Sequence, residues 1–255
     1  MITIATVTYN AADTLERTLL SVESQHTDAI QHIIMDGGSK DATVSIAQAY
    51  RQRVAGRYEV VVVSERDKGL YDAMNKVLQR ATGDYVCFLN AGDKLHSPDT
   101  LSAVIQQADV TSVGVIYGDT DIVDAEGQRL RARRLSPPEC LTWRSFKDGM
   151  LVCHQSFYVN RLIAQQYDLA YRFSADIDWC IRCMKEGERM DMTNSAVRQS
   201  DGSIAVLTDY LSEGMTTANH RASLLERFRI MATHYGTLTA IMQHLWFVVR
   251  AVAVK

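Results

Sequence analysis

Residues 65–93, ERDKGLYDAMNKVLQRATGDYVCFLNAGD, constrain the fold of this chain more than any other stretch. An apolar run at 58–64 leads into a turn through Glu65, Arg66, Asp67, Lys68 and Gly69. Leu70, Met74, Val77, Leu78 and Ala81 then fall on one helical face, because residues three and four apart stack along an α-helix. Gly83 and Asp84 supply a helix stop. Residues 85–89 form a short apolar run bounded by turn residues, which reads as a buried strand opening into Asn90, Ala91, Gly92 and Asp93.

The same rhythm runs through the first half of the chain. Patterning predicts strands at 2–9, 31–36, 58–64, 85–89 and 113–117, and helices at 12–24, 42–53, 70–81 and 98–108. Asp41 suits a cap for the second helix, Pro98 suits a first helical turn, and Asp99 meets the helix dipole favourably. Alternating strands and helices predict an α/β, Rossmann-like, mostly parallel sheet flanked by helices. In such sheets ligands bind beyond the carboxyl ends of the strands. Four segments deliver polar groups to that position: Thr8–Tyr9–Asn10, Asp36–Gly37–Gly38–Ser39, Glu65 to Gly69, and Asn90 to Asp93.

From Asp119 the rhythm changes. Residues 121–123, Glu126–Gly127 and 129–135 read as a hairpin and 154–159 as a further strand, expected as antiparallel additions to the same sheet. From Arg221 the pattern is helical, so the expected division is a main domain at 1–220 and a helical extension at 221–255. The extension is strongly apolar from Leu238 to Val254, but His244 and Arg250 interrupt it and it is short for a spanning helix. It reads as a helix docked on the domain or in a homo-oligomer, or as one lying on a membrane surface.

A chain of 255 residues can bury a full core, and a net charge of −3 gives no general reason to expect nucleic acid. Arg129, Arg131, Arg133 and Arg134 form a solvated strand face or a contact to an anionic acceptor or membrane. Five cysteines are an odd set, and MITIATVTYN begins directly as a strand with no room for a signal peptide, so a reducing, cytoplasmic compartment is expected. Cys180 and Cys183 fall inside a helical pattern and read as structural. No GxxxxGK[ST] loop is present and no GxGxxG follows the first strand, which counts against a kinase-like enzyme and a dinucleotide-dependent dehydrogenase.

Six segments in order carry a resemblance: TVTYN (6–10), DGGSKD (36–41), SERDKGLYDAMNK (64–76), ATGDYVCFLNAGD (81–93), CHQSFY (153–158) and SADIDWCIR (174–182). Together they resemble family 2 of the inverting glycosyltransferases, closest to bacterial enzymes of exopolysaccharide, capsule and O-antigen assembly, over roughly residues 1–220. The resemblance implies a GT-A fold, a nucleotide-diphospho-sugar donor, a divalent metal such as Mn²⁺ or Mg²⁺, and an acceptor hydroxyl on a glycan or lipid-linked saccharide. A location at the inner face of the cytoplasmic membrane would suit such an acceptor.

By the resemblance, Asp93 is the metal ligand, matching the last carboxylate of a D-x-D-like element that stands here as Asn90–Ala91–Gly92–Asp93. Gly92 occupies a position where many relatives carry another Asp, so one carboxylate remains and the metal is expected to lean on the diphosphate. Asp36 matches the base-contacting acid, flanked by Thr8, Tyr9 and Asn10. Its alternative role is an ordinary strand-to-helix turn, with Asn10 or Asp13 capping the next helix.

Glu65, Asp67, Lys68, Gly69, Asp72 and Asn75 form a third wall, with Asp72 and Asn75 sharing a helix face toward sugar or phosphate. Asp176 and Asp178 are the candidate general bases. They lie two apart, so at most one is expected to face the acceptor, and the family pattern favours Asp176. Arg182 is expected toward the diphosphate or solvent, and His154 and Gln155 toward the sugar or acceptor pocket. The loop Glu213–Gly214–Met215–Thr216 falls where relatives carry Gly-Gly-x-Ser and lacks the first glycine. Two other readings stand beside transfer: a sugar-nucleotide-binding protein that has lost turnover, and a nucleotidyltransferase.

Overall fold

A computed structural model describes residues 1–108, 112–212 and 220–253. The loop at 213–219 lies outside the described residues.

The first half alternates as its patterning predicts: β1 (Ile2–Thr8), α1 (Ala12–Glu23), β2 (Ile30–Asp36), α2 (Thr43–Arg53), β3 (Glu59–Ser64), α3 (Leu70–Leu78) and β4 (Tyr85–Phe88). β1 and β2 are buried along their whole length, as expected for parallel strands covered by helices on both faces. β1 pairs in parallel with β2 and β4, and β2 with β3. The registers place Thr8 opposite Asp36 and Asp36 opposite Ser64, so the loops that follow leave the sheet from one level.

The second half comprises β5 (Lys94–Leu95), α4 (Thr100–Ala108), β6 (Val113–Tyr117), β7 (Asp119–Val123), β8 (Arg129–Ala132), β9 (Phe157–Asn160), α5 (Ala175–Arg189), β10 (Thr193–Ala196) and β11 (Val206–Leu211). Two helices follow, α6 (His220–Tyr235) and α7 (Thr237–Ala253). The main sheet runs β10-β6-β9-β4-β1-β2-β3, with β9 antiparallel to both neighbours.

Two sequence expectations need correction. The β7–β8 hairpin forms, but in a second sheet ordered β5-β11-β7-β8 rather than as an addition to the first. The expected strand at 154–159 is divided: residues His154–Ser156 make a 3₁₀ turn, and only Phe157–Asn160 pair. That turn breaks the ladder because Thr208 and Thr120 of the second sheet hydrogen-bond to it, Thr208 Oγ1 to the Gln155 carbonyl (2.8 Å) and Thr120 Oγ1 with Ser156 Oγ (2.7 Å).

α6 is part of the domain's packing. Ile230 is fully buried in the main core, and the Glu226 carboxylate accepts backbone N–H bonds from Arg172 (2.8 Å), Phe173 (2.8 Å) and Ser174 (3.0 Å), just ahead of α5. Cys180 and Cys183 are buried, unpaired thiols within α5, and burial raises both pKa values, so they behave as core residues. Among the described residues no helix is long and apolar enough to cross a membrane.

The chain passes from the first sheet to the second at Gly118. A Cβ there would stand 2.6 Å from the Ala205 carbonyl oxygen and against the Leu207 side chain, so the sheets meet this closely only over a bare backbone. Gly118→Ala is expected to cost about 1–3 kcal/mol by overpacking. Urea unfolding checks it, and an unchanged midpoint would show that the two sheets are not held together there.

Candidate active site

Loops at the carboxyl ends of β1 to β4 converge. After β1, Asn10 adopts a left-handed conformation (φ 47°) and ties its loop to the next, its N–H donating to Ser39 Oγ (2.7 Å) and its Oδ1 accepting from Lys40 N (3.0 Å). Asp41 secures the same junction by accepting from the N–H groups of Thr43 (3.0 Å) and Ala12 (3.1 Å). Asp36 is buried and organises its own turn: Oδ2 accepts from Gly38 N (3.0 Å), Ser39 N (3.0 Å) and Ser64 Oγ (2.6 Å), and Oδ1 from Ser39 Oγ. Its carboxylate therefore already satisfies the chain's own donors. Tyr9 carries an exposed ring, whereas Thr8 is buried with no hydrogen bond to its hydroxyl.

Asp67 reaches across to the second loop. A Cβ on Gly37 would lie 2.6 Å from Asp67 Oδ2 and 3.3 Å from Tyr9 Cδ2, which explains glycine at that position. Asp67 Oδ1 accepts from Gly69 N (2.8 Å), and Gly69 takes φ 121°, a backbone geometry that glycine supports. Asp72 accepts from Lys68 N (3.0 Å) at the start of α3, and Glu65 pairs with Lys76 (3.1 Å). Lys68, Tyr71 and Asp72 face Leu169, Tyr171 and Arg172 across a cleft of about 390 Å³.

The centre of the site is the junction of the loop after β4 with the His154–Ser156 turn. Asp93 is buried, its Oδ2 accepting from Gln155 Nε2 (2.7 Å) and its Oδ1 from Leu211 N (3.0 Å) in β11. Burial outweighs those two donors and pushes its pKa up to about 6. Thr18 fixes the loop from α1, donating to the Asp93 carbonyl (2.7 Å) and accepting from Gly92 N (2.9 Å). Gly92 has φ 101°, and Ala91 packs toward the small core beneath α1 and α2. The Asn90 amide nitrogen lies 3.3 Å from His154 Nε2, leaving the buried Asn90 Oδ1 without a partner.

His154 Nδ1 in turn stands 3.6 Å from Asp176 Oδ2, and Tyr71 donates its hydroxyl to Asp176 Oδ1 (3.4 Å). Burial works against the Asp176 charge, but the hydrogen bond and charge of His154, with Arg227, outweigh it and hold the carboxyl below its usual range. Asp176 is 24% exposed and stays ionised at neutral pH. The two carboxylates are thus pushed in opposite directions by their surroundings.

Three expected site residues lie elsewhere. Asn75 is buried and clamps the Tyr167 backbone, donating to its carbonyl (2.9 Å) and accepting from its N–H (2.6 Å), because α3 turns that face into the core. Asp178 is buried between Arg182 Nε (2.6 Å) and His234 Nε2 (2.8 Å), which fastens α5 to α6. Arg182 is committed to that pair and to the Gln166 carbonyl (2.7 Å) rather than to a ligand. α5 starts at Ala175, so both aspartates sit in its first turn and project to different sides. Sequence reasoning overlooked Tyr71, Thr18 and Leu211, whose contributions come from packing or from backbone and carry no motif.

The arrangement suits a divalent cation that takes most of its ligands from a phosphate: one buried carboxylate on Asp93 and one unpartnered amide oxygen on Asn90 share a loop. A tighter cluster, His96, Asp121 and Asp209, lies in the second sheet. Its carboxylates already pair with Lys94 (3.0 Å) and Arg129 (2.6 Å).

Comparison with known proteins agrees with this geometry. The family described as "Glycosyl transferase family 2" matches residues 3–175. The chain is 32% identical over 187 residues to a PGL/p-HBAD biosynthesis glycosyltransferase of Mycobacterium bovis, covering 72% of this chain and 69% of the relative. It is 30% identical over 191 residues to an uncharacterized glycosyltransferase of Mycobacterium tuberculosis, covering 71% and 68%. Among solved structures, S. aureus TarS 1-349 in complex with UDP-GlcNAc superposes with TM-score 0.64 at 16% identity, covering 91% of this chain and 64% of that one. Mannosyltransferase PcManGT from Pyrobaculum calidifontis, in complex with GDP-Man and Mn²⁺, gives TM-score 0.60 at 16% identity, covering 100% and 80%. These likenesses show the GT-A fold.

The raised Asp93 pKa carries a stability signature in metal-free protein. A folded value of about 6 against an ordinary 3.8 favours the protonated form, so its contribution is complete below pH 3.8 and is lost as pH rises through about 6. The loss amounts to about 3 kcal/mol at neutral pH. Urea unfolding in EDTA across this range should show the decline in the native chain and not in Asp93→Asn; parallel profiles would contradict burial of the charge.

Proposed function

The chain belongs to glycosyl transferase family 2, and from that premise we propose that it moves a sugar, with inversion, from a nucleotide-diphospho-sugar to a hydroxyl of a glycan or lipid-linked saccharide. The observation that carries the reading is the pair of carboxylates kept in different states at one junction, Asp93 desolvated and Asp176 ionised, linked through Asn90 and His154.

Asp176 accepts the proton of the acceptor hydroxyl. The hydroxyl oxygen forms its bond to the anomeric carbon as the bond from that carbon to the diphosphate oxygen breaks on the opposite face. The nucleoside diphosphate departs with the bonding electron pair. His154 and the Tyr71 hydroxyl hold the Asp176 carboxylate in place for this step, and His154 with Arg227 keeps it charged. Gln155 fixes the rotamer of Asp93, which with the Asn90 oxygen would hold a divalent metal. When bound, that metal offsets the charge that develops on the leaving diphosphate.

The loops carrying Thr8, Tyr9, Asn10, Asp36 and Asp67 form the nucleoside side of the crevice, with Tyr9 as the exposed ring for a base. Contact between Asp36 and a base would require Ser39 to release it. Because the five cysteines are unpaired, a reducing cytoplasmic setting fits the chain. The single carboxylate of the Asn90–Asp93 loop keeps one rival in view, a donor-binding protein without turnover.

Thermal stabilisation by UDP, GDP, CMP and dTDP, each with and without Mn²⁺ or Mg²⁺, identifies the donor base, since a ligand of the native state raises its melting temperature. With that donor, Asp176→Asn should lower transfer about 10²–10⁴-fold while leaving donor binding intact. Asp178→Asn should weaken the α5–α6 attachment and retain transfer within about tenfold of the native rate below its melting temperature. Equal transfer by Asp176→Asn would remove it as the base; donor binding without transfer by the native chain would favour the rival.

A further inference from the structure

The last helix carries an apolar face that no described residue covers. On α7, Leu238, Ile241, Met242, Leu245, Trp246 and Val249 are all exposed, from 44% to 73%. Their spacing of three, four and seven residues places them on one side of the helix. The opposite side is occupied: Ala240 is fully buried, and the His244 ring packs at 5.2 Å from Phe228 of α6 and 5.6 Å from Phe247. The helix is therefore held through one face and presents the other outward.

Charge points to the occupant. Past Arg227, whose charge acts on Asp176, the sequence to residue 255 has three basic residues, Arg229, Arg250 and Lys255, and no Asp or Glu, while the chain as a whole is at −3. Arg229 is exposed. The 3₁₀ turn Trp143–Asp148, which contacts α7, adds an exposed Lys147 beside the single acid Asp148. The acid of α6, Glu226, is engaged by backbone amides ahead of α5. An apolar stripe bearing a Trp, with a basic margin and too short to span, has the make-up of a helix lying in the plane of a bilayer surface.

We infer that the outward face of α7 docks on an anionic lipid bilayer, its apolar side chains entering the headgroup boundary and its basic margin meeting anionic headgroups. α6 packs between α7 and α5, so a bilayer bound there would lie behind the α6–α7 pair that supports the helix carrying Asp176. The inference goes beyond sugar transfer, and its test reads binding without turnover.

The test is co-sedimentation of the full chain with vesicles of phosphatidylcholine alone or mixed with phosphatidylglycerol, at low and high salt. The expected result is at least about tenfold more bound protein on the anionic vesicles, reduced by salt. The combined variant Leu238→Ser, Leu245→Ser and Trp246→Ser should lose that binding with its melting temperature unchanged, because those side chains are exposed. Equal, weak sedimentation with both vesicles would overturn the inference. So would a dimer, seen by light scattering and abolished by the same variant, that leaves no vesicle binding; the face would then belong to a second copy of the chain.

Discussion

The buried hydrogen bonds to Asp93 are the constraint on which the rest depends. One oxygen accepts from the backbone of β11 in the second sheet and the other from Gln155 in the turn before β9. The residue itself follows β4, in the middle of the first sheet. Three segments distant in sequence therefore meet on one carboxylate, and Thr18 of α1 ties the same loop down from a fourth direction. That junction joins the Cys87 Sγ contact with the Gln155 carbonyl (3.3 Å) in holding β4 against the His154–Ser156 turn, and so places His154 between Asn90 and Asp176.

The junction is costly in a way that makes chemical sense. Two neutral donors do not replace the water lost by an aspartate at 4% exposure, and the pKa rises to about 6. A cation binding there would relieve the penalty and be held more firmly for it. Asp176 has the opposite setting, with positive or hydrogen-bonding neighbours that keep it charged. A displacement reaction has these two needs, a place for charge on the leaving group and an ionised acceptor for a proton.

Much of this is legible in the amino-acid sequence. The apolar runs and helical spacing of the first half locate β1 to β4 within a residue or two, because parallel strands buried on both faces are rich in apolar residues, while buried polar ones such as Thr3 with Gln31 and Thr6 with His32 pair with each other across neighbouring strands. Polar residues at strand ends stand out for the same reason: Asp36, Asp67 and Asp93 interrupt apolar patterns where the chain leaves the sheet. The second half is harder to read. β5 has two residues and β10 reads Thr-Asn-Ser-Ala, neither with an apolar signature, and both form because neighbouring strands offer them partners. Asp176 and Asp178 look alike in sequence. His234, fifty-six residues beyond Asp178, separates them by drawing Asp178 into an ion-paired contact with α6. Asn75 reads as a ligand residue by its helical offset from Asp72, but the backbone of Tyr167 claims both ends of its amide.

Around the junction the molecule divides its labour by position. Loops after β1, β2 and β3 are stitched to one another by Asn10, Asp36 and Asp41, which leaves Tyr9 and Lys68 exposed at the crevice. α6 and α7 brace α5 from behind and turn an apolar face outward. The most direct measurement is calorimetric titration of Mn²⁺ with the stabilising nucleoside diphosphate into the native chain and into Asp93→Asn. Metal-dependent nucleotide binding in the native chain, lost in the variant while metal-free nucleotide binding persists, is the predicted result; equal metal-dependent affinity in both would contradict Asp93 as the residue on which the site is built.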